Sequence, residues 1–231
     1  EVIEWFSLRL PWDKVIALSE QTRLKLIEVG MPVDKITVVY AGVDVVEANK
    51  IKVKKFPQPT ICCISRLVGY KRIGDLITAF ATVKKCLPKG QLIIIGNGPE
   101  AGHLKKLAHR SIIWKHNLGR TELIKTLKQS HIFCLPSIVE GFGLVTLEAI
   151  AAGTPYVNAD IAINSEITHH GQGGLLFRPQ DPSDLAKKII ALLTNKHLYQ
   201  KKLLQGKQLL TNYSWAKQAG ETEKVYHSVL K

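Results

Sequence analysis

The fold of this chain is decided by residues 131–157, which read HIFCLPSIVEGFGLVTLEAIAAGTPYV. The apolar run HIFCLP (131–136) leads into a loop that contains glycines. An apolar helical pattern then starts near Gly143 and stops at Gly153, before a second apolar run, PYV (155–157). Short, continuously apolar runs are typical of strands buried on both faces of a parallel sheet. The stretch therefore predicts a strand, a helix and a parallel strand.

The same alternation extends outward along the chain. Further apolar runs are VIAL (15–18), ITVVY (36–40), TICCIS (60–65), QLIIIG (91–96) and SIIW (111–114). The helical patterns between them carry start signals: Ser19, Thr121, and Asp181 before Pro182. Strand and helix alternation of this kind predicts a Rossmann-like, doubly wound parallel α/β sheet. The polar segment EANKIKVKKFPQPT (47–60) is predicted to be a loop or linker.

Composition limits the functional classes. The 231 residues are 45% hydrophobic and 22% charged, which is typical of a globular protein. The first residues, EVIEWFSLRLPWDK, lack a basic segment followed by an apolar one, so we expect no secretory signal and a cytoplasmic location. The four cysteines have no CxxC spacing and are predicted to be reduced, buried small hydrophobes.

The net charge is +13, from 32 basic and 19 acidic residues. Such a charge favours anionic partners, including nucleotides and the anionic surface of a membrane, where the protein would associate peripherally. Lysines solvated on polar helix faces explain the charge as well. No signature of nucleic-acid binding is present, so a nucleic-acid partner is disfavoured.

Ligands of open parallel sheets bind beyond the carboxyl ends of the strands, which directs attention to the loops there. Gly96, Asn97 and Gly98 follow one predicted strand, in a G-x-G-x-x-x-G spacing that departs from the dinucleotide fingerprint. A hydride-transferring enzyme is thus disfavoured. The glycines permit either close approach by a ligand or a tight turn.

The loop after the run TICCIS holds three cations, Arg66, Lys71 and Arg72. Arginine binds phosphate oxygens through its planar fork, and lysine supplies a point charge. A diphosphate would suit this loop, although a solvated loop is an equally good interpretation.

Glu140 and Glu148 lie on either side of the predicted helix start. A fully helical spacing would separate them by about 12 Å at ~1.5 Å per residue. The carboxylates of glycosidases are roughly 5.5 Å to 9.5 Å apart, so a hydrolase is disfavoured. Backbone amides of Phe142, Gly143 and Leu144 would be first-turn donors for an anion.

Together these motifs resemble one family. EGFGLVTLEAIAAGTP resembles the E-x7-E signature of retaining, nucleotide-sugar-dependent glycosyltransferases with the GT-B fold, the large family four group. ISRLVGYKR, IIIGNGPE, LPSIVEGFG and YAGVD are similar to that family's phosphate-binding, glycine-turn, donor-loop and Asn-Gly-Val-Asp segments, in the same order. The resemblance implies the C-terminal, donor-binding half of a GT-B fold.

The resemblance also implies roles for individual residues. Glu140 would contact the donor sugar, Glu148 the ribose hydroxyls, and Arg66 with Lys71 the leaving diphosphate. The catalytic residues implied are Glu140, Arg66 and Lys71. The donor-binding residues implied are Glu148, Gly141, Phe142, Gly143, Leu144, Gly96, Asn97, Gly98 and Gly42.

A UDP- or GDP-sugar is the expected donor, with no cofactor and no metal. The implied organisation is a tail of an acceptor domain (1–41), a donor domain (42–210) and a final helix (211–231) that packs toward the acceptor domain. A sugar or lipid-linked acceptor would bind through the rest of that domain. Trp5, Trp12 and Trp215 are candidates for an exposed patch, and core burial is an equally good interpretation. Two alternatives stay open: a non-catalytic nucleotide-sugar binding module and a basic nucleic-acid-binding protein.

Overall fold

The computed structural model describes residues 10–108 and 110–230, which fall into two compact units. The larger unit runs from Asp44 to Thr211, and the smaller unit combines the described residues up to Val43 with those from Asn212 onward. The prediction for Trp5 lies outside the described residues. None of the described helices is both long enough and apolar enough to cross a membrane.

The described elements alternate between strands and helices. The strands are β1 (Val15–Ala17), β2 (Ile36–Val38), β3 (Thr60–Ile64), β4 (Gln91–Ile95), β5 (Ile112–Lys115), β6 (Ile132–Leu135), β7 (Tyr156–Ala159) and β8 (Gly174–Phe177). The α-helices are α1 (Glu20–Glu28), α2 (Val45–Lys50), α3 (Ile73–Cys86), α4 (Ala101–Leu107), α5 (Arg120–Gln129), α6 (Leu144–Ala151), α7 (Ala162–Ile167), α8 (Pro182–Thr194), α9 (Lys196–Leu209) and α10 (Trp215–Val229).

The larger unit is built on a six-stranded, all-parallel sheet in the order β5-β4-β3-β6-β7-β8. In β3, Ile61 and Cys63 pack into a core cluster together with α3 and α8. Cys62 alternates with them, pairs in register with Ile93 and Phe133, and is also fully buried. Both faces of the sheet are therefore covered, which confirms the predicted doubly wound α/β fold.

The smaller unit contains a two-stranded parallel sheet, β1 with β2, and the helices α1 and α10. The chain enters α10 beside Gly42, where a Cβ would lie 2.7 Å from the Trp215 backbone nitrogen. The Gly42 amide donates to Oε1 of Gln218 at 2.7 Å. Gly42 is thus a close-packing position within this unit. Trp12 and Trp215 are both exposed, so the structure favours exposure over core burial for these two residues.

The predicted helix starts have mixed outcomes. The Ser19 hydroxyl accepts from the Thr22 amide, and Asp181 caps α8 with Pro182 in its first turn, as predicted. The prediction that Thr121 caps a helix was wrong, because α5 already begins at Arg120. Its N-cap residue is Gly119, which provides no side-chain cap.

Two elements differ from the sequence-based expectation. The segment 47–60 was predicted to be a loop, but its first residues belong to α2, which Asp44 caps through the Glu47 amide. β8 was missed, because its four residues GLLF follow a glycine-rich turn and resemble part of a loop. β8 pairs only with β7 among the described strands, so it forms an edge of the sheet.

The prediction of buried cysteines is correct for three of the four. Cys62, Cys63 and Cys134 are fully buried in β3 and β6. The prediction was wrong for Cys86, which is exposed on the last turn of α3. Burial raises the pKa of the Cys62 thiol to about 12 and raises the pKa values of Cys63 and Cys134 as well.

These environments predict the reactivity of the thiols. At pH 8, a disulfide reagent such as DTNB should modify Cys86 quickly, because this thiol is exposed, and should spare the other three cysteines, which are buried and have raised pKa values. All four should react in denaturant. Cys86→Ser should abolish the fast reaction of the native protein. A second fast thiol in that variant would show that the sheet is more open than described.

Candidate functional site

The candidate site lies at the carboxyl ends of three neighbouring central strands of the sheet, β4, β3 and β6. Because the three strands are parallel neighbours, the loops that follow them meet at their carboxyl ends. The Ile138 amide donates to the Tyr70 carbonyl at 3.0 Å, and the Leu67 amide donates to the Asn97 carbonyl at 2.9 Å. The loop after β3 is therefore hydrogen-bonded to the loops on both of its sides.

A nearly buried ion pair joins the loops after β3 and β6. Nζ of Lys71 lies 2.5 Å from Oε1 of Glu140, and the two side chains are only 11% and 10% exposed. Lys71 ends the short 3-10 turn Gly69–Lys71, and Glu140 lies in the loop before α6. A pair of charges withdrawn from water acts more strongly on nearby charges than an exposed pair does. The structure thus brings together two of the three predicted catalytic residues.

Tyr70 contacts both of the predicted phosphate-binding cations. The Arg66 guanidinium donates to the Tyr70 hydroxyl, and its Cζ lies 6.0 Å from the centre of the Tyr70 ring. Nζ of Lys71 lies 5.3 Å from the same centre. Both distances are within cation–π range. Tyr70 was not singled out in the sequence, although an aromatic residue between cations was the available signal.

The glycines after β4 have a packing reason of their own. Gly96 has φ of +153°, and a Cβ on it would lie 1.8 Å from the Ser65 carbonyl oxygen. A Cβ on Gly98 would lie 2.3 Å from the Leu67 carbonyl oxygen. Close packing on the loop after β3 therefore gives both glycines a structural reason, and their contact with a ligand remains a prediction. Asn97, between them, is exposed, and its Oδ1 accepts from the Gly98 amide.

The start of α6 follows the predicted donor loop. Gly143 adopts φ of +84° as the residue before the helix, with no side-chain cap. Gly141 faces open space, Phe142 is buried, and Leu144 is 43% exposed. A Cβ on Gly143 would lie 3.0 Å from Cδ1 of Ile167. The helix therefore starts without a side-chain cap, next to an exposed first residue, a geometry that suits an anion.

Glu148 lies inside α6, and its carboxylate is 34% exposed. Oε1 of Glu148 accepts from Nη1 of Arg120 at 3.1 Å, and Arg120 also binds Glu47. The two acids of the opening stretch thus have different cationic partners, Lys71 for Glu140 and Arg120 for Glu148. Arg120 was not predicted from the sequence. It follows β5, one of the strands whose loops were expected to matter.

The Glycosyl transferases group 1 family model matches residues 45–208. The chain belongs to this family. The match includes Arg66, Lys71, Glu140 and Glu148, and the expected family is confirmed.

Curated relatives carry transferase names. The chain is 30% identical over 222 residues to a glycogen synthase from Mycobacterium tuberculosis, covering 93% of this chain and 54% of the relative. It is 29% identical over 185 residues to a phosphatidyl-myo-inositol mannosyltransferase from Mycobacterium leprae, covering 71% and 49%. The chain spans about half the length of these curated relatives.

Two solved structures share the fold of this chain. HepE of Anabaena, in a complex with UDP and glucose, superposes with a TM-score of 0.83 at 19% identity, covering 97% of this chain and 67% of that one. S. aureus TarM, in a complex that contains UDP, also has a TM-score of 0.83, at 24% identity, covering 98% and 46%. At these identities the likeness establishes the fold alone.

Among residues 10–108 and 110–230, no group of three or more His, Cys, Asp or Glu side chains could hold a metal ion. The expectation that the site needs no metal remains a prediction.

The glycine turn generates a test of the loop packing. Gly98→Ala should lower the free energy of unfolding by about 1–3 kcal/mol, because its Cβ would overlap the Leu67 backbone. Gly102→Ala is the matched control, since a Cβ there meets nothing within 4 Å in α4. The control should stabilise the protein by about 0.5–1 kcal/mol. Urea unfolding measures both, and equal effects would contradict the packing described.

The Lys71–Glu140 pair generates a second test. Lys71→Met should cost about 3 kcal/mol of unfolding free energy, because it leaves a nearly buried carboxylate without its cation. Adding Glu140→Gln should recover much of that loss, since the remaining side chains are then neutral. A double-mutant cycle by urea unfolding measures the coupling. Strictly additive effects would mean that the two charges do not depend on each other.

Proposed function

We propose that this chain forms the donor-binding part of a retaining glycosyltransferase that uses a nucleotide-diphosphate sugar, UDP- or GDP-linked. The observation that carries the proposal is the arrangement at the ends of β3 and β6. Two cations, a nearly buried acid and a helix start without a side-chain cap lie there on hydrogen-bonded loops. The nucleotide-sugar chemistry rests on this arrangement and on the E-x7-E resemblance, and retention rests on the resemblance alone.

The proposed chemistry follows from the charges that develop during transfer. Breaking a glycosyl–phosphate bond leaves negative charge on the nucleoside diphosphate and cationic character at the sugar carbon. Preorganised donors aimed at the developing charge are commonly the largest stabilisers available to an enzyme. Arg66 and Lys71 would bind the leaving diphosphate, supported by amides at the start of α6. These cations would do the work that a metal ion does in other phosphate sites.

The two acids would recognise two parts of the same donor. Glu140, paired with Lys71, would contact the sugar hydroxyls near the reacting bond. Glu148, further along α6 and more exposed, would accept hydrogen bonds from the ribose hydroxyls. In this assignment the ion pair also links sugar recognition to phosphate binding, because Glu140 would contact the sugar and Lys71 would bind the diphosphate.

The names of the relatives support both candidate nucleotides. One relative from Mycobacterium tuberculosis, 30% identical over 151 residues, is named a GDP-mannose-dependent mannosyltransferase, whereas HepE and TarM were crystallised with UDP. The acceptor in the proposal is a sugar or a lipid-linked sugar, recognised by an acceptor domain. Peripheral membrane association through the net charge of +13 belongs to the same proposal.

Calorimetry with UDP, GDP, ADP and the matching nucleosides tests this function. One nucleoside diphosphate should bind, its nucleoside should bind far more weakly, and EDTA should change neither affinity. Glu148→Ala should weaken the diphosphate by about 1.5–3 kcal/mol, roughly ten- to hundredfold, through the lost ribose hydrogen bonds.

An oligonucleotide serves as the competing ligand in this panel. Preferential binding of the oligonucleotide would overturn the proposal, as would a strict Mg²⁺ or Mn²⁺ requirement for the diphosphate. An unchanged affinity in a folded Glu148→Ala variant would remove the ribose assignment.

A further inference from the structure

Arg120 joins two carboxylates that come from two other helices. Its Nε donates to Oε2 of Glu47 in α2 at 2.5 Å, and its Nη1 donates to Oε1 of Glu148 in α6 at 3.1 Å. Arg120 is the first residue of α5, Glu47 lies in the first turn of α2, and Glu148 lies within α6. The bridge therefore connects three helices. No assignment in the proposed function uses Arg120 or Glu47.

The anchor of this bridge is itself fixed. The Glu47 amide donates to Oδ1 of Asp44 at 2.8 Å, which caps α2. Nζ of Lys128 in α5 donates to the Ala48 carbonyl at 2.7 Å, so a second hydrogen bond joins α2 and α5. The guanidinium is therefore held from the Glu47 side by two packed helices. The two carboxylate partners are similarly exposed, Glu47 at 29% and Glu148 at 34%, and they differ in that the backbone around Glu47 carries the additional hydrogen bonds.

We propose that Arg120 is a positioning residue: anchored by Glu47, it holds Oε1 of Glu148 and so presents this carboxylate to the vicinal hydroxyls of the bound ribose. The proposal rests on the proposed function, in which Glu148 binds the ribose. It assigns roles to Arg120 and Glu47 that act through Glu148 and not by contact with the donor.

The acceptor capacity of Glu148 allows both partners at once. An ionised carboxylate has about four lone-pair sites, and Arg120 takes one of them, on Oε1. Among the described residues, no other side-chain hydrogen bond to Glu148 is found, so Oε2 and the second site on Oε1 stay open to two hydroxyls. Holding a flexible glutamate in place before binding reduces the entropy lost when the ligand arrives.

The residue type also fits this role better than a structural one. Arg120 is 54% exposed, and ion pairs at such exposure contribute little to stability. The planar fork of arginine can direct separate N–H groups at two carboxylates, whereas lysine is a point charge without that geometry. A purely stabilising role would not need the fork.

The test measures affinity in the full 231-residue chain by calorimetry, with UDP and GDP and with their 2′,3′-dideoxy forms. Arg120→Met should weaken the diphosphate that binds by about three- to tenfold, the loss expected when one side chain must be ordered on binding. The same variant should leave the dideoxy form unchanged, because that ligand lacks the hydroxyls that Glu148 would bind. Glu47→Gln should have a smaller effect in the same direction, and Arg120→Lys should restore part of the loss.

Lys125→Met is the matched control. Lys125 also lies on α5 and forms an exposed ion pair, 2.8 Å from Glu122, but it does not touch Glu148. The control should bind both ligands as the natural chain does. Thermal unfolding establishes whether each variant is folded. If Arg120→Met is unfolded, the test uses Glu47→Gln and Arg120→Lys instead.

Three outcomes would overturn the positioning role. In the first, Arg120→Met weakens binding of the ribose and dideoxy forms equally. In the second, it tightens binding of the diphosphate, which would mean that Arg120 competes with the ribose. In the third, it weakens binding further in a Glu148→Ala background. These outcomes differ from a failure of the proposed function. In that case neither nucleotide binds the natural chain, or Glu148→Ala alone leaves the affinity unchanged.

Discussion

The parallel pairing of β3 with β4 on one side and β6 on the other is the constraint on which the larger unit depends. The carboxyl ends of parallel neighbours lie on the same side of the sheet. The loop with Arg66 and Lys71 is therefore placed between the glycine turn and the loop that contains Glu140. The same pairing buries every residue of β3 except partly Ile64, which leaves no polar face to orient the sheet differently. The location of the candidate site is therefore a consequence of sheet topology.

Close backbone packing turns that side of the sheet into a rigid surface. Gly96 and Gly98 let the turn after β4 touch the backbone of Ser65 and Leu67, and hydrogen bonds join the same loops. A side chain at either glycine would separate the loops and move the cations beside them. The glycine turn thus acts on the site through the position of the loop after β3.

The acidic residues of the site differ in their relation to water, and that difference separates their roles. Glu140 and Lys71 are nearly buried, so each depends on the other for compensation of its charge. Glu148 and Arg120 are much more exposed, so their contact is weak as a source of stability and more apt to orient a group. One helix, α6, and the loop before it therefore carry a nearly buried acid and a more exposed one.

The sequence by itself determined the α/β class, seven of the eight described strands, the start of α6 and the family, because each rests on a local pattern or a contiguous motif. β8 and α2 were not predicted, because each is short and lies next to glycine-rich or polar sequence without a clear hydrophobic periodicity. Only the tertiary structure decided that the Tyr70 side chain contacts Arg66 and Lys71, and that Arg120 joins Glu47 to Glu148. The last contact links residues 73 and 28 positions apart from Arg120. No local pattern encodes such distances, since they depend on how three separately formed helices pack around one sheet.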